Sequence, residues 1–323
     1  MYNLYVFYIV YNVKGQKMRP SVYIMMSTYN GEHYVSEQIE SILNQSHVDV
    51  TIAIRDDGSS DNTMDILNSY AKKHSNISVI CGDNLGFAGS FWSLLLSAPL
   101  TYDYYAFSDQ DDVWEANKLA AAIHVLRQSD NKLKLYASAL QVTDENLNVQ
   151  YKNEFPKLKI KLGSAITRPR LSGCTMVFGS ELLRLCQSYD ITKINGAGIS
   201  HDVAVYLTAL SCGGKVLFSR KSYIKLRRHA STVTGHGKSI FKRIASVLDI
   251  FTKRKLEASI QTEFLYSNLK EHMTPESILI CEDILHYRDS VKNTVAFAKD
   301  KRNKCNIMSV DMVNLFAILF RCY

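Results

Sequence analysis

The chain has no C-x-x-C pair, and its cysteines are odd in number. Cys81, Cys174, Cys186, Cys212, Cys281, Cys305 and Cys322 are scattered through 323 residues. That scatter argues against a disulfide framework and against a zinc site, and for a reducing cytosol. There is also no apolar run long enough to cross a bilayer, which takes about 20 residues. Residues 2–13 are apolar and aromatic, but they are few and are interrupted by Asn3 and Asn12. They lack a basic leading region and a clear small-residue cleavage site, so they make a poor signal peptide. Residues 1–19 are expected as a loose extension, with a weak membrane-contacting arm as the second reading. What remains is ordinary for a globular protein: 46% hydrophobic residues and a formal charge of +7. The length suits one large domain or two small ones with a sizeable core.

From residue 20 the chain alternates between two periods. Residues 21–27, 50–55, 77–81 and 104–107 read as short apolar strands. Between them, residues 34–45, 62–73 and 87–97 carry apolar side chains at helical spacing, such as Val35, Ile39 and Ile42, or Ile66, Leu67 and Tyr70. A further helix is expected over 118–128. This order predicts an α/β fold with a mostly parallel sheet flanked by helices. In such sheets ligands bind beyond the carboxyl ends of the strands. Three polar clusters stand at those ends: Thr28-Tyr29-Asn30-Gly31, Asp56-Asp57-Gly58-Ser59 and Asp109-Gln110-Asp111-Asp112.

The last cluster is the most informative. It follows the apolar-aromatic run Tyr104-Tyr105-Ala106-Phe107-Ser108. Carboxylates at the end of a buried strand resist desolvation unless they are paired or hold a cation. Asp109 and Asp111, one residue apart, can share a hard divalent ion. Mg²⁺ typically takes only one or two protein carboxylates and fills its other positions with water and phosphate oxygens. The same residues also suit an acidic turn that caps the following helix.

Beyond residue 130 the pattern loosens. Residues 133–140 and 217–226 read as strands, and 143–146 as a turn. Residues 151–170 are basic and irregular, with Pro156 and Pro169. Residues 171–178 read as an apolar strand, followed by a helix over 181–187. His201-Asp202 opens an apolar helix over 203–210, where Asp202 is placed to act as a cap.

Several of these stretches resemble family 2 of the inverting glycosyltransferases, most closely its bacterial rhamnosyltransferase-like branch. They are Ser27-Thr28-Tyr29-Asn30-Gly31, Ile54-Arg55-Asp56-Asp57-Gly58-Ser59-Ser60-Asp61, Asn84-Leu85-Gly86, Phe107-Ser108-Asp109-Gln110-Asp111-Asp112-Val113-Trp114, Ser172-Gly173-Cys174-Thr175-Met176, His201-Asp202 and Arg228-His229. They stand in the family's order across roughly residues 20–237. The resemblance implies a GT-A-type nucleotide-sugar-binding fold and metal-dependent sugar transfer from a nucleotide-diphosphate sugar to a glycan or lipid-linked acceptor in cell-surface polysaccharide synthesis. It implies that Thr28, Tyr29 and Asn30 line the nucleotide pocket with Asn84, Gly86 and Gln110. It implies that Asp56 or Asp57 accepts from the base, with Gly58 permitting the turn. Asp109 and Asp111, with His229, would hold Mg²⁺ or Mn²⁺ at the diphosphate, and Asp202 would be the general base. A plain cap for Asp202 and a surface histidine for His229 are the bland alternatives. The donor dTDP-rhamnose is suggested by the branch alone, and UDP-hexoses stay open.

The chain departs from the family in two respects. The Gln-x-x-Arg-Trp motif and the transmembrane helices of the processive synthases are absent, which points to transfer of one or a few sugars. The aromatic pair usual after His-Asp is replaced by Val203-Ala204. The expected domains are the catalytic part, 20–237, and a C-terminal helical region, 238–323. From Lys215 to Lys255 there are twelve Lys or Arg against one acid, Asp249. Phe241, Ile244, Ala245, Leu248 and Phe251 fall on one helical face there. That pattern suits an anionic membrane surface at the inner face of a cell membrane, and it equally suits helices packed on the domain with a solvated basic face. No nucleic-acid recognition motif accompanies the charge. Two other classes stay open: a sugar nucleotidyltransferase, which would normally carry a G-x-G-T-R loop after the first strand, and a non-catalytic nucleotide- or carbohydrate-binding module.

Overall fold

The structure is a computed structural model that describes residues 19–155, 158–193, 199–229 and 256–323. Its centre is one nine-stranded sheet. The first half alternates strand and helix: β1 (Ser21–Thr28), α1 (Val35–Leu43), β2 (Asp49–Asp56), α2 (Thr63–Lys73), β3 (Ile77–Cys81), α3 (Gly86–Ser97) and β4 (Tyr104–Ser108). These four strands lie parallel in the order β3-β2-β1-β4. The near-continuous apolar runs of β1, β2 and β4 follow from burial on both faces, whereas β3, at the edge, is largely exposed. In β1, Val22, Ile24 and Met26 pack with α1 and α2, whereas Met25 points to the opposite core with α3. That division is the two-residue period of a strand.

The second half is mixed. It comprises β5 (Val113–Trp114), α4 (Lys118–Arg127), β6 (Lys134–Thr143), β7 (Val149–Asn153), α5 (Leu162–Thr167), β8 (Val177–Gly179), α6 (Ser180–Gln187), α7 (His201–Ser211) and β9 (Lys215–Arg227). β8 runs antiparallel between β4 and β6, and β9 is parallel to β6. The α/β class and its helical layers are as expected, with the parallel order confined to the first four strands and the β6–β9 pair.

Three local expectations are corrected. Residues 171–178 do not form one strand: Gly173–Thr175 is a 3₁₀ turn, closed by Met176 N–H to Gly173 C=O at 2.8 Å, and only Val177–Gly179 is extended. The stretch 151–170 holds the end of β7 and the buried helix α5, whose Leu162, Ala165 and Ile166 join the core. Asp202 is not the cap of α7. Ser200 occupies that position, and Asp202 lies inside the first turn.

Among the described residues, four further helices follow: α8 (Glu257–Leu269), α9 (Pro275–His286), α10 (Val291–Lys299) and α11 (Met308–Leu319). Phe264, Leu265, Ile284, Tyr287 and Ile318 belong to the same buried cluster as Phe107, Phe178 and Tyr206 of the sheet and α7. Among the described residues, no helix is long and apolar enough to cross a membrane. The basic amphipathic pattern around Phe241–Phe251 and the N-terminal residues 1–18 lie outside the described residues.

A shared core makes a prediction. Leu265 is fully buried in α8. Leu265→Ala is expected to cost about 3 kcal/mol. It should lower the midpoint of one cooperative denaturation curve followed both by the fluorescence of Trp92 and Trp114 and by helical circular dichroism. Two separated transitions would mean that the C-terminal helices fold apart from the sheet.

Candidate functional site

The carboxyl ends of β1, β2 and β4 are aligned by register: Thr28 pairs with Asp56, and Met26 with Ser108. The loops that leave these strands meet at one edge. Thr28 Oγ1 donates to Asp56 Oδ1 at 2.9 Å, and Ser59 adds its hydroxyl at 2.6 Å and its backbone N–H at 2.8 Å. Asp56 is fully buried. Asp57 is paired with the Arg55 guanidinium and accepts from Leu85 N–H at 2.9 Å. All of these contacts fall on Asp57 Oδ1, so its second oxygen carries none of them. Of the two acids expected to read a base, Asp57 keeps the uncommitted oxygen. Gly58 lies at φ +82°, as the tight turn requires, and Gly86 at φ +72°.

Other expected binding residues act on the loops themselves. Asn30 takes the left-handed conformation and clamps the next loop, donating its N–H to Ser59 Oγ and accepting from Ser60 N–H, both at 2.8 Å. Asn84 accepts from Gly86 N–H at 3.1 Å. The Gln110 amide pairs with the Tyr29 backbone in both directions, at 2.8 and 3.0 Å. Gln110 therefore ties the acidic loop to the β1 loop, while the Tyr29 side chain stays 48% exposed.

The acidic loop is held from behind by β9. β5 pairs antiparallel with β9, which brings Arg227 onto the loop. Its backbone N–H donates to Asp112 Oδ1 at 3.2 Å and its Nε to Asp111 C=O at 2.9 Å. The rest of the guanidinium bonds to Glu37 and to the Glu145 carbonyl, and lies 4.5 Å from the centre of the Tyr34 ring. The His229 ring follows, 4.9 Å from the Tyr34 ring centre, with Nε2 2.8 Å from Asp111 Oδ2. His229 and Asp111 are thus brought together as expected. Asp109 faces differently. Among the described residues, the group of possible metal ligands around it is Asp112 and Cys174. Burial, then the charges of Asp111 and Asp202, push the Asp109 carboxyl up to about 7.

Asp202 approaches from the other side. Its Oδ2 accepts from Gly173 N–H at 3.2 Å, and its Oδ1 from the Ser200 hydroxyl at 2.6 Å and Val203 N–H at 2.9 Å. His201 before it is buried, with its ring 4.0 Å from Phe91 and 4.4 Å from Phe107. Burial pushes its pKa down to about 4, so the ring is neutral packing. Sequence reading missed Arg227 and Arg55, the two cations that hold the acidic loops. The Arg227-Arg228-His229 run was visible, but its contact lies 116 residues away in Asp111.

Gly31 makes one of these ties testable. A Cβ there would stand 2.4 Å from Gln110 Oε1. Gly31→Ala is expected to break the Gln110–Tyr29 pair and lose about 1–3 kcal/mol. In a Gln110→Ala background the same change should cost much less, because no amide is left to displace. Denaturant titration of the four proteins measures the coupling, and additive losses would refute it.

Residues 23–184 match the description Glycosyl transferase family 2. The chain is 29% identical over 246 residues to the dTDP-rhamnosyl transferase RfbG of Shigella flexneri, covering 72% of this chain and 82% of that one. It is 34% identical over 110 residues to WfgD of Escherichia coli, a UDP-Glc:α-D-GlcNAc-diphosphoundecaprenol β-1,3-glucosyltransferase, across 34% of this chain and 42% of that one. A crystal structure of S. aureus TarS in complex with UDP-GlcNAc superposes with a TM-score of 0.53 at 16% identity, covering 92% of this chain and 89% of that one, which is a likeness of fold. The nucleotidyltransferase reading is left without support. With the matched stretch running from β1 through the acidic loop to α6, the chain belongs to glycosyl transferase family 2.

Proposed function

We propose that the protein transfers one sugar, with inversion, from a nucleotide-diphosphate sugar to a glycan or lipid-linked acceptor in cell-surface polysaccharide synthesis. The observation that carries this reading is the approach of two carboxylates from separate elements. Asp109, at the end of β4, clusters with Cys174, and the preceding Gly173 donates its N–H to Asp202, at the start of α7. In this reading the diphosphate sits by Asp109 and the acceptor hydroxyl by Asp202. The likeness to the Shigella flexneri dTDP-rhamnosyl transferase favours dTDP-rhamnose as donor. The acceptor named for the Escherichia coli relative favours a lipid-diphosphate-linked sugar.

In this reading Thr28 and Tyr29 border the nucleotide, and Asp57 accepts from its base through the uncommitted oxygen. Asp202 takes the proton of the acceptor hydroxyl. That oxygen forms the new bond to the anomeric carbon as the bond to the diphosphate breaks on the opposite face. Gly173 N–H and the Ser200 hydroxyl fix the Asp202 carboxylate for that task. The residues at the acidic loop fit a hard divalent cation, Mg²⁺ or Mn²⁺. Asp109 and Asp111 supply oxygen donors whose mutual repulsion a cation would relieve, and His229 stands beside Asp111. Burial keeps the Cys174 thiol protonated, which leaves the carboxylates as the ligands of choice. A cation bound there would supply Lewis-acid stabilisation of the departing diphosphate. The twelve-to-one basic excess between Lys215 and Lys255 supports a place at the inner face of an anionic membrane.

The reading is tested by sugar release from dTDP-rhamnose, UDP-glucose, UDP-GlcNAc and a GDP-sugar, each with and without Mn²⁺. No turnover with any of them would sink it. Asp111→Asn is expected to weaken Mn²⁺-dependent nucleotide binding several-fold by calorimetry, and an affinity indifferent to both the mutation and EDTA would remove the metal assignment. Asp202→Asn keeps the shape and the hydrogen bonds to Gly173 and Ser200 within reach but cannot take a proton. Transfer should fall by about 10²–10⁴-fold, with donor affinity and melting temperature near wild type. Retention of more than about a tenth of wild-type turnover would place the base elsewhere.

A further inference from the structure

Phe87 is a half-exposed aromatic ring two residues after Leu85, whose N–H donates to Asp57. It lies in the first turn of α3, directly after Asn84-Leu85-Gly86, and is 49% exposed. Its ring meets Phe91 edge-on at 5.1 Å and tilts against His201 at 5.6 Å. His201 in turn is stacked on Phe91 and wedged against Phe107. The ring is therefore supported by two buried aromatic neighbours, Phe91 and His201, which rest in turn on Phe107, and the residue after His201 is Asp202. Leu85, 55% exposed, stands at the N-cap of the same helix, with its N–H fixed by Asp57.

An exposed phenyl ring is unremarkable on a protein surface. Its place here is what decides. It packs on Phe91 and on His201, the residue before the proposed base, and leaves about half of its surface open. The face of an aromatic ring carries partial negative charge. A pyranose presents on one face a patch of C–H bonds that such a ring attracts, while its hydroxyls stay free for polar partners. Phe87 makes its ring contacts with Phe91 and with His201, next to Asp202, whereas the nucleotide and diphosphate readings rest on Thr28, Asp57, Asp109 and Asp111 and on Asn84 and Gly86 of the preceding loop.

We propose that Phe87, flanked by Leu85, is the platform on which the acceptor sugar ring lies while Asp202 removes the proton from its hydroxyl. The proposal rests on the assignment of Asp202 as base. It makes Phe87 a specificity-determining residue for the acceptor and neutral toward the donor.

The test separates the two substrates. Donor hydrolysis, in which water replaces the acceptor, is measured alongside transfer to the best acceptor among alkyl-diphosphate-linked GlcNAc, glucose, galactose and rhamnose. Phe87→Ala should raise the acceptor KM by about tenfold, equivalent to about 1.4 kcal/mol of binding. Donor Kd, the hydrolysis rate and the melting temperature should stay at wild-type values. Phe87→Tyr, which keeps the ring, should hold the acceptor KM within about threefold of wild type. An acceptor KM unchanged in Phe87→Ala overturns the proposal. So does a parallel loss of donor hydrolysis, which would assign the ring to the donor side, or a fall in melting temperature that Phe87→Tyr restores without any change in KM. If the wild type hydrolyses no nucleotide sugar, it is the transferase reading that fails.

Discussion

Three carboxylates in four residues cannot be held at the end of a buried strand without a counterforce, and Arg227 supplies it. Its side chain is almost wholly buried, yet every part of it is used: the backbone N–H on Asp112, Nε on the Asp111 carbonyl, and the guanidinium tips on Glu37 and the Glu145 carbonyl. A lysine has one point of charge and could not make this set of contacts at once. The consequence is geometric. Because Arg227 grips the backbone of Asp111, the carboxylate of Asp111 is left to face His229 and the opening. β9 reaches that position because it pairs with β5 on one side and with β6 along most of its length on the other. The mixed half of the sheet is thus the support that lets the parallel half end in acid.

The two hydrophobic cores divide the work of placement. The core shared by α1, α2 and α4 underlies the strand ends that carry Thr28 and Asp56. The core shared by α3, α6 and α7 places His201, and through it Asp202 and Phe87. The C-terminal helices join the second of these, through Leu265, Ile284 and Tyr287. A loosened C-terminal region would therefore be felt first at α7, where Asp202 stands, and last at the nucleotide loops.

The parts of the site legible in the sequence were those whose chemistry is local. Asp56-Asp57-Gly58-Ser59 and Asp109-Gln110-Asp111-Asp112 declare themselves because polar clusters follow apolar strands, and the strand ends did fall within a residue or two of expectation. The partners were illegible because they are remote in sequence. Arg227 holds the Asp111 carbonyl from 116 residues away, and the Gln110 amide pairs with the Tyr29 backbone 81 residues before it. The stretch 151–170 was opaque for a different reason. Its helix α5 is six residues long, too short for a 3.6-residue period to rise above the surrounding lysines. The Gly173–Thr175 turn, likewise, is set by the need to bring Gly173 N–H to Asp202, a tertiary demand that an apolar run conceals.

Behind the acidic loop lies a second group that explains how so much acid is tolerated. Asp112, Cys174 and Lys118 are all buried, with Lys118 Nζ 3.5 Å from the centre of the Trp114 ring. Among the described residues, neither Lys118 Nζ nor Asp112 Oδ2 has a hydrogen-bond partner. Burial pushes the Asp112 carboxyl and the Cys174 thiol well up, and the Lys118 amine down to about 7. Each shift favours the uncharged form, which is the cheaper one to bury. The interior side of the loop is thereby kept electrically quiet, and the buried groups behind the acidic loop do not oppose the fold by carrying charge.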